Sequence, residues 1–236
     1  MAGSARGGIK THGDDVAFLL APAGSTCAAL FTSNRVKAAP VHLSARHLAG
    51  GRARAVVVNA GNANCCTGTR GDENARQMVE LAARKWNLAP EEILVCSTGI
   101  IGHPLPMEKI EGAISQIELS RGPQTDENTA RAFMTTDTVP KFFAARTKIG
   151  QDFVTVGGQT KGVGMIGPDL QALHANAPHA NALHATMLAF LTTDAQIEAP
   201  RLQKLLERAV QKSFNSVTVD GDTSTNDTAI LLASGA

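Results

Sequence analysis

Five groups of residues have side chains whose chemistry and spacing invite a reaction. His174, His179 and His184 recur in QALHANAPHANALHA, and three imidazoles close in sequence are the raw material of a metal site. Steps of five residues turn about 140° around a helix, so the three rings would not share a face. Only Asp169 lies nearby as a further donor, so the stretch reads as a solvated loop or insertion, and no metal site is expected. Asp220-Gly-Asp222-Thr223-Ser224 follows the strand-like SVTV. Two Asp so placed can act as nucleophile and acid/base in magnesium-dependent phosphoryl transfer. That chemistry needs a later Lys and further carboxylates, and only fourteen residues, none of them Lys, follow Asp222. The segment reads instead as a turn whose Asp, Ser and Thr satisfy backbone groups and cap a following helix.

Ser97-Thr98-Gly99 ends a buried strand, the place where α/β arrangements hold ligands. A Thr hydroxyl beside a Gly amide offers two donors to a developing oxyanion, although such turns are also common as plain structure. Lys161-Gly-Val-Gly164-Met-Ile joins backbone that can approach a ligand closely to a cation able to pair with a carboxylate. It lacks the full G-x-x-x-x-G-K-[ST] phosphate loop, which excludes a nucleotide site; the plain alternative is a glycine-rich turn with a solvated Lys. Thr186, in Ala185-Thr186-Met187-Leu188, reads by itself as a β-branched residue opening a strand.

The elements that must position these groups alternate between strand and helix. Segments 15–21, 27–31, 53–60 and 92–98 are short apolar runs and read as buried strands. Ala75, Met78, Val79, Ala82 and Trp86 recur at helical spacing, with Asp72 and Glu73 assigned to the first turn. Met107, Ile110, Ile114 and Ile117 mark a second helix, and 126–134 a third. FFAARTKI and FVTVGG, joined through Gly150, Gln151 and Asp152, predict a hairpin. Residues 200–214 predict a helix that starts at Pro200 and turns Leu202, Leu205, Leu206, Ala209 and Val210 inward. The closing TAILLASGA is apolar and stops abruptly, which suggests truncation.

Lys plus Arg number 22 and Asp plus Glu 21, a balance that argues against binding nucleic acid or a membrane through bulk charge. Hydrophobic residues at 43% and charged residues at 18% fit a globular core rather than a disordered chain. Tyr is absent and Trp86 is the one Trp, so the core must come mainly from Ala, Val, Leu and Ile. No apolar run reaches 18 residues, and MAGSARGGIK has no apolar targeting region. Cys27, Cys65, Cys66 and Cys96 form no C-x-x-C, and the adjacent pair makes a poor disulfide framework. A reduced, cytoplasmic protein is expected.

Taken in order, GIKTHGDDVAFLL, FTSNRVKAAPVHLS, VVVNAGNANCCTG, LVCSTGIIGHPLPMEKI, FMTTDTVPK, KGVGMIGP, ATMLAFLTTDA and SFNSVTVDGDTSTNDT resemble the bifunctional ornithine acetyltransferase / glutamate N-acetyltransferase family of arginine biosynthesis. The resemblance runs from about Gly8 to the last residue and is interrupted near 170–184. It implies a layered α/β/β/α sandwich with an autoprocessed site of N-terminal-nucleophile type, where composition and pattern indicate only mixed α/β. It also implies self-cleavage at Ala185–Thr186, giving an N-terminal chain of residues 1–185 and a C-terminal chain that begins with residues 186–236.

By the same resemblance, Thr186 then takes acetyl from N2-acetylornithine as an ester and passes it to glutamate. Its freed α-amino group, with a pKa near ~8, serves as the adjacent base. Thr98 and Gly99 match the oxyanion donors. Thr135, Lys161 and Thr186 match the substrate-binding residues, with Thr135 chosen over Thr136. No cofactor is implied, although acetyl-CoA also serves as donor in bifunctional members. The implied partners are small-molecule substrates, and the implied assembly is a heterotetramer of two cleaved chain pairs. The chain departs from the family pattern at Gln171–His184, which intrudes before the scissile bond. It departs again at its end, where family members continue and supply a Glu and further substrate-binding residues. These departures motivate a second reading, a non-catalytic truncated remnant unable to self-process.

Overall fold

The computed structural model describes residues 1–172 and 186–236. In chain order the strands are β1 (Ala2–Ala5), β2 (Val16–Leu20), β3 (Thr26–Thr32), β4 (Ala55–Asn62), β5 (Ile93–Ile100), β6 (Lys141–Ile149), β7 (Asp152–Lys161), β8 (Leu170–Gln171), β9 (Leu188–Thr193) and β10 (Thr228–Ala233). The α-helices are α1 (Ala39–His47), α2 (Gly68–Trp86), α3 (Met107–Gln116), α4 (Pro123–Ala132) and α5 (Ala199–Gln211). They build two sheets, one in the order β1-β2-β4-β5 and one in the order β6-β7-β9-β10-β3-β8. Only the pairs β4–β5 and β9–β10 are parallel; every other neighbour is antiparallel.

The apolar runs at 15–21, 27–31, 53–60 and 92–98 become strands buried on both faces, because they lie in the layered part of each sheet, whereas β6 at the edge of the second sheet is exposed. Alternate side chains then go to different cores. From β2, Ala17 and Leu19 meet the second sheet together with Val56, Val58, Leu94 and Cys96. Val16 and Phe18 point the other way, into a layer with Val57, Ile93 and Val95 against α2 and α3. In the second sheet Ala29, Phe31, Phe190 and Ile230 face inward, while Ala28, Leu30, Ala189 and Ala229 pack on Leu202, Leu206 and Val210 of α5. The stack is the α/β/β/α sandwich that the resemblance implied. Among the described residues no helix is long and apolar enough to cross a membrane, and the four cysteines are free thiols.

Several local expectations need correction. α2 starts at Gly68, so Asp72 and Glu73 lie beyond its first turn, which holds no acid. α4 starts three residues earlier than read, at Pro123, whose fixed φ suits a helix start. Leu205 is 40% exposed and Ala209 also faces outward, because only Leu202, Leu206 and Val210 sit at the four-residue spacing that meets the sheet. Ile149 pairs with Asp152, so the hairpin turn is only Gly150-Gln151, with Gly150 at φ +63°. β1, α1 and β8 had no clear sequence signal. His174, His179, His184 and Ala185 lie outside the described residues.

Two lysines brace helix ends. Lys85 Nζ donates to the carbonyls of Ile114, Ser115 and Ile117 at the end of α3. Lys10 Nζ does the same at the end of α4, donating to Arg131, Ala132 and Met134. Each places a cation on carbonyls left unpaired at the negative end of a helix.

Candidate active site

The reactive groups meet where strand ends of the two sheets come together. Lys161 ends β7 and pairs with Leu188 of β9, which pairs with Thr228 of β10. This register puts Lys161, Thr186 and Asp227 side by side at one end of the second sheet. From the first sheet, β5 brings Thr98 and Gly99 alongside Gly61 of β4. Gly99 has φ +132°, and a Cβ there would lie 2.3 Å from the carbonyl carbon of Gly61. Only glycine lets the two backbones come this close.

Thr186, Lys161, Thr98 and Gly99 line one cavity of about 780 Å³, together with Thr135, Thr136, Lys10, Asp137 and the 9–14 loop. That loop is shaped by buried Asp15, whose carboxylate accepts the backbone N–H groups of Gly7, Ile9 and Lys10. Thr135 is half-buried and Thr136 exposed, and both reach the cavity. Thr98, Gly99, Thr135, Lys161 and Thr186, the five candidates outside the 173–185 segment, are therefore brought together, although 63 residues separate Thr98 from Lys161.

Lys161 is not the solvated lysine of a glycine-rich turn; it is 2% exposed. Its Nζ donates to Thr98 Oγ1 at 3.0 Å and to the carbonyl of Thr186 at 2.8 Å. Two of its three hydrogens are thereby used, leaving one for a ligand. Because Thr98 Oγ1 accepts from Lys161, its own hydrogen remains free to donate. Burial pushes the Lys161 pKa down to about 8, against the pull of Asp137 and Asp227. Burial also acts on Asp137, but the hydrogen bonds from Lys141 and Gly162 N–H, with the charge of Lys161, hold its carboxyl below the usual range.

Ser224, Asn226 and Asp227 were not singled out for this site from sequence. The Thr186 hydroxyl lies 2.8 Å from that of Ser224. Asp227 accepts the N–H of Met187 at 2.7 Å and of Ser224 at 3.0 Å. Burial pushes its pKa up to about 7, opposed by those N–H groups and by Lys161. Asn226 Nδ2 donates to the carbonyls of Ala63 and Ser97, tying this turn to the first sheet. The one available signal was an Asp three residues after a Ser, a spacing at which a carboxylate reaches back to a backbone N–H.

Asp220 and Asp222 stand apart from the cavity. Asp220 accepts the N–H groups of Met165, Ile166 and Asp222, so the turn reading of this motif describes its contacts. Strand β10 follows it, where a capped helix was expected. Among the described residues no group of three or more His, Cys, Asp or Glu is placed to hold a metal.

Fold and site together define a mixed α/β sandwich with its hydroxyl, lysine and glycine-turn groups collected where the two sheets meet. The model of the ArgJ family matches residues 1–236, and the chain belongs to that family. The arginine biosynthesis bifunctional protein ArgJ of Geobacter sulfurreducens is 46% identical over 222 residues, 94% of this chain and 53% of that protein. The chain spans about half the length of the curated relatives it matches. The crystal structure of the bifunctional protein ArgJ from Bacillus halodurans aligns with a TM-score of 0.68 at 35% identity, over 72% of this chain and 90% of that one. Ornithine acetyltransferase from Mycobacterium tuberculosis, complexed with ornithine, aligns with a TM-score of 0.59 at 35% identity, over 72% and 91%.

Proposed function

We propose that this chain carries the nucleophile-bearing part of an acetyltransferase that moves acetyl from N2-acetylornithine to glutamate. The observation that carries it is the convergence of Thr186, Thr98, Gly99 and Lys161 on one cavity. Self-cleavage at Ala185–Thr186 divides the chain into residues 1–185 and 186–236 and frees the α-amino group of Thr186 as a base. Thr186 Oγ attacks the acetyl carbonyl, the carbon–nitrogen bond breaks, and the Thr186 proton ends on departing ornithine. The amine of glutamate then attacks the ester, and Thr186 recovers a proton as it leaves. Two half-reactions through a covalent ester give ping-pong kinetics.

Thr98 and Gly99 stabilise the oxyanion in each half-reaction: the Thr98 hydrogen freed by Lys161 is one donor and the Gly99 N–H is the other. Removing one such donor typically lowers the rate about 10²–10³-fold. The third hydrogen of Lys161 is left for the α-carboxylate that both substrates carry, with Thr135 as a neighbouring contact. The ornithine bound to the Mycobacterium tuberculosis protein supports this substrate class. Acetyl-CoA is a second acetyl donor. The processed chains assemble as a heterotetramer in the cytoplasm and require no cofactor.

Intact-mass measurement of the purified chain, followed by an ornithine-release assay, tests this function. A 51-residue fragment beginning at Thr186, with acetyl transfer abolished by Thr186→Ala, is the expected result. A single uncleaved mass with no ornithine formed would instead favour the non-catalytic remnant.

A further inference from the structure

The Thr186 hydroxyl has one hydrogen-bond partner among the described residues, the hydroxyl of Ser224 at 2.8 Å. Both residues are buried. Ser224 is fixed from three directions. Its Oγ accepts the N–H of Asn226 at 3.1 Å, its N–H is held by Asp227 Oδ2, and its carbonyl accepts the Thr32 hydroxyl. The other Asp227 oxygen takes the N–H of Met187, next to Thr186. One buried carboxylate therefore sets the backbones beside both hydroxyls relative to each other.

The Asn226 N–H uses one lone pair of Ser224 Oγ. One lone pair and one hydrogen remain, and both can be used by Thr186. Resting on the reading of Thr186 as the acetyl-carrying nucleophile, we propose that Ser224 is its positioning residue in both half-reactions. In the resting site Ser224 accepts the Thr186 hydrogen, which holds the Thr186 oxygen facing the cavity; for attack that hydrogen turns to the freed α-amino group, from which it passes to the departing amine. Once Thr186 is esterified it has no hydrogen to give, and the Ser224 hydroxyl turns to donate to the ester oxygen. That donation eases departure of Thr186 when the second amine attacks. Ser224 keeps its own proton throughout and is not a base; the Thr186 proton leaves with the first amine and is replaced from the second.

The test compares Ser224→Ala with the unaltered chain for thermal midpoint, kcat, and KM for N-acetylornithine and for glutamate. Misplaced attack geometry typically costs about 10²-fold. The expected result is a kcat about 10–100-fold lower, with both KM values within about twofold and the chain still folded. Ser224→Cys keeps the shape but offers only a weak donor and acceptor, so its kcat should also fall. It provides a second variant if the alanine substitution does not fold.

Repeating Ser224→Ala in a Thr186→Ser background adds a readout that a merely structural role would not move. Without the β-branching methyl, χ1 is less restricted, and the loss should be larger than in the Thr186 background. An unchanged kcat in either single variant, or equal losses in both backgrounds, would overturn the positioning role. An unaltered chain that cleaves and transfers normally beside an unimpaired Ser224→Ala defeats this inference alone. An unaltered chain that transfers no acetyl defeats the nucleophile reading and this inference together.

Discussion

Gly99→Ala probes the strand-end contact on which the oxyanion geometry depends. At φ +132° an L side chain is strained whatever space surrounds it, at a cost of about 1–3 kcal/mol. Space is also missing: the new Cβ would meet Gly61 C at 2.3 Å, Asn62 N at 2.5 Å and Gly61 Cα at 2.7 Å. These are backbone atoms of a neighbouring strand, so no side chain can swing aside. Ordinary contact would require β4 and β5 to part by about 1 Å, and overpacking of this kind adds about 1–3 kcal/mol. Gly102 is the control, with φ +82° and nothing within 4 Å of its would-be Cβ. Gly102→Ala should cost only the dihedral strain, about 1–2 kcal/mol.

Urea denaturation of both variants separates the two contributions. With a slope of about 2–3 kcal/mol per molar, the midpoint should fall by about 1–2 M for Gly99→Ala and by about 0.5 M for Gly102→Ala. Acetyl transfer should fall about 10²-fold in Gly99→Ala, because Thr98 moves with its neighbour. Equal midpoint losses in the two variants would refute the steric account of Gly99.

Three further outcomes follow from individual contacts. Lys161 has a pKa below that of an unfolded lysine, so between about pH 8 and 10.5 the unfolded chain holds the extra proton and stability rises with pH. The stability of the unaltered chain relative to Lys161→Met should therefore increase by up to about 3 kcal/mol across that window; a flat difference in urea midpoints would refute a buried, charged Lys161. Asn226→Ala removes the donors to Ala63 and Ser97, and should cost about 2–4 kcal/mol in the same assay; a loss under about 0.5 kcal/mol would deny the tie between the sheets. Leu206→Ala should cost about 2–5 kcal/mol and Leu205→Ala about 0.5 or less, and equal costs would contradict the packing of α5.

Much of the layering was legible because it rests on local pattern. Runs such as AVVVNA and ILVCST are too apolar for a sheet with one wet face, and their valines and isoleucines suit strands. The α5 stripe was read too wide because helical spacing admits i+3 and i+4 neighbours alike; only the angle at which the helix meets the sheet decides that Leu206 is buried and Leu205 is not. β1 and α1 escaped notice because AGSA and APVHLSARH have weak apolar periodicity, and both are held by what they pack on.

The sequence by itself determined the family, through eight ordered blocks, and the residue types at Thr98, Gly99, Lys161 and Thr186. Tertiary structure decided what those residues touch. A glycine-turn lysine became a buried donor to Thr98 and Thr186, and a string of turn formers, Ser224-Thr225-Asn226-Asp227, became the buried joint between two sheets. The physical reason is range. Helix and strand formation follow spacings of two to four residues, which a sequence displays directly. The hydrogen bonds that join the separate elements of the site link residues 25 to 163 positions apart, and they exist only once the packed sheets have excluded water and set the strand register.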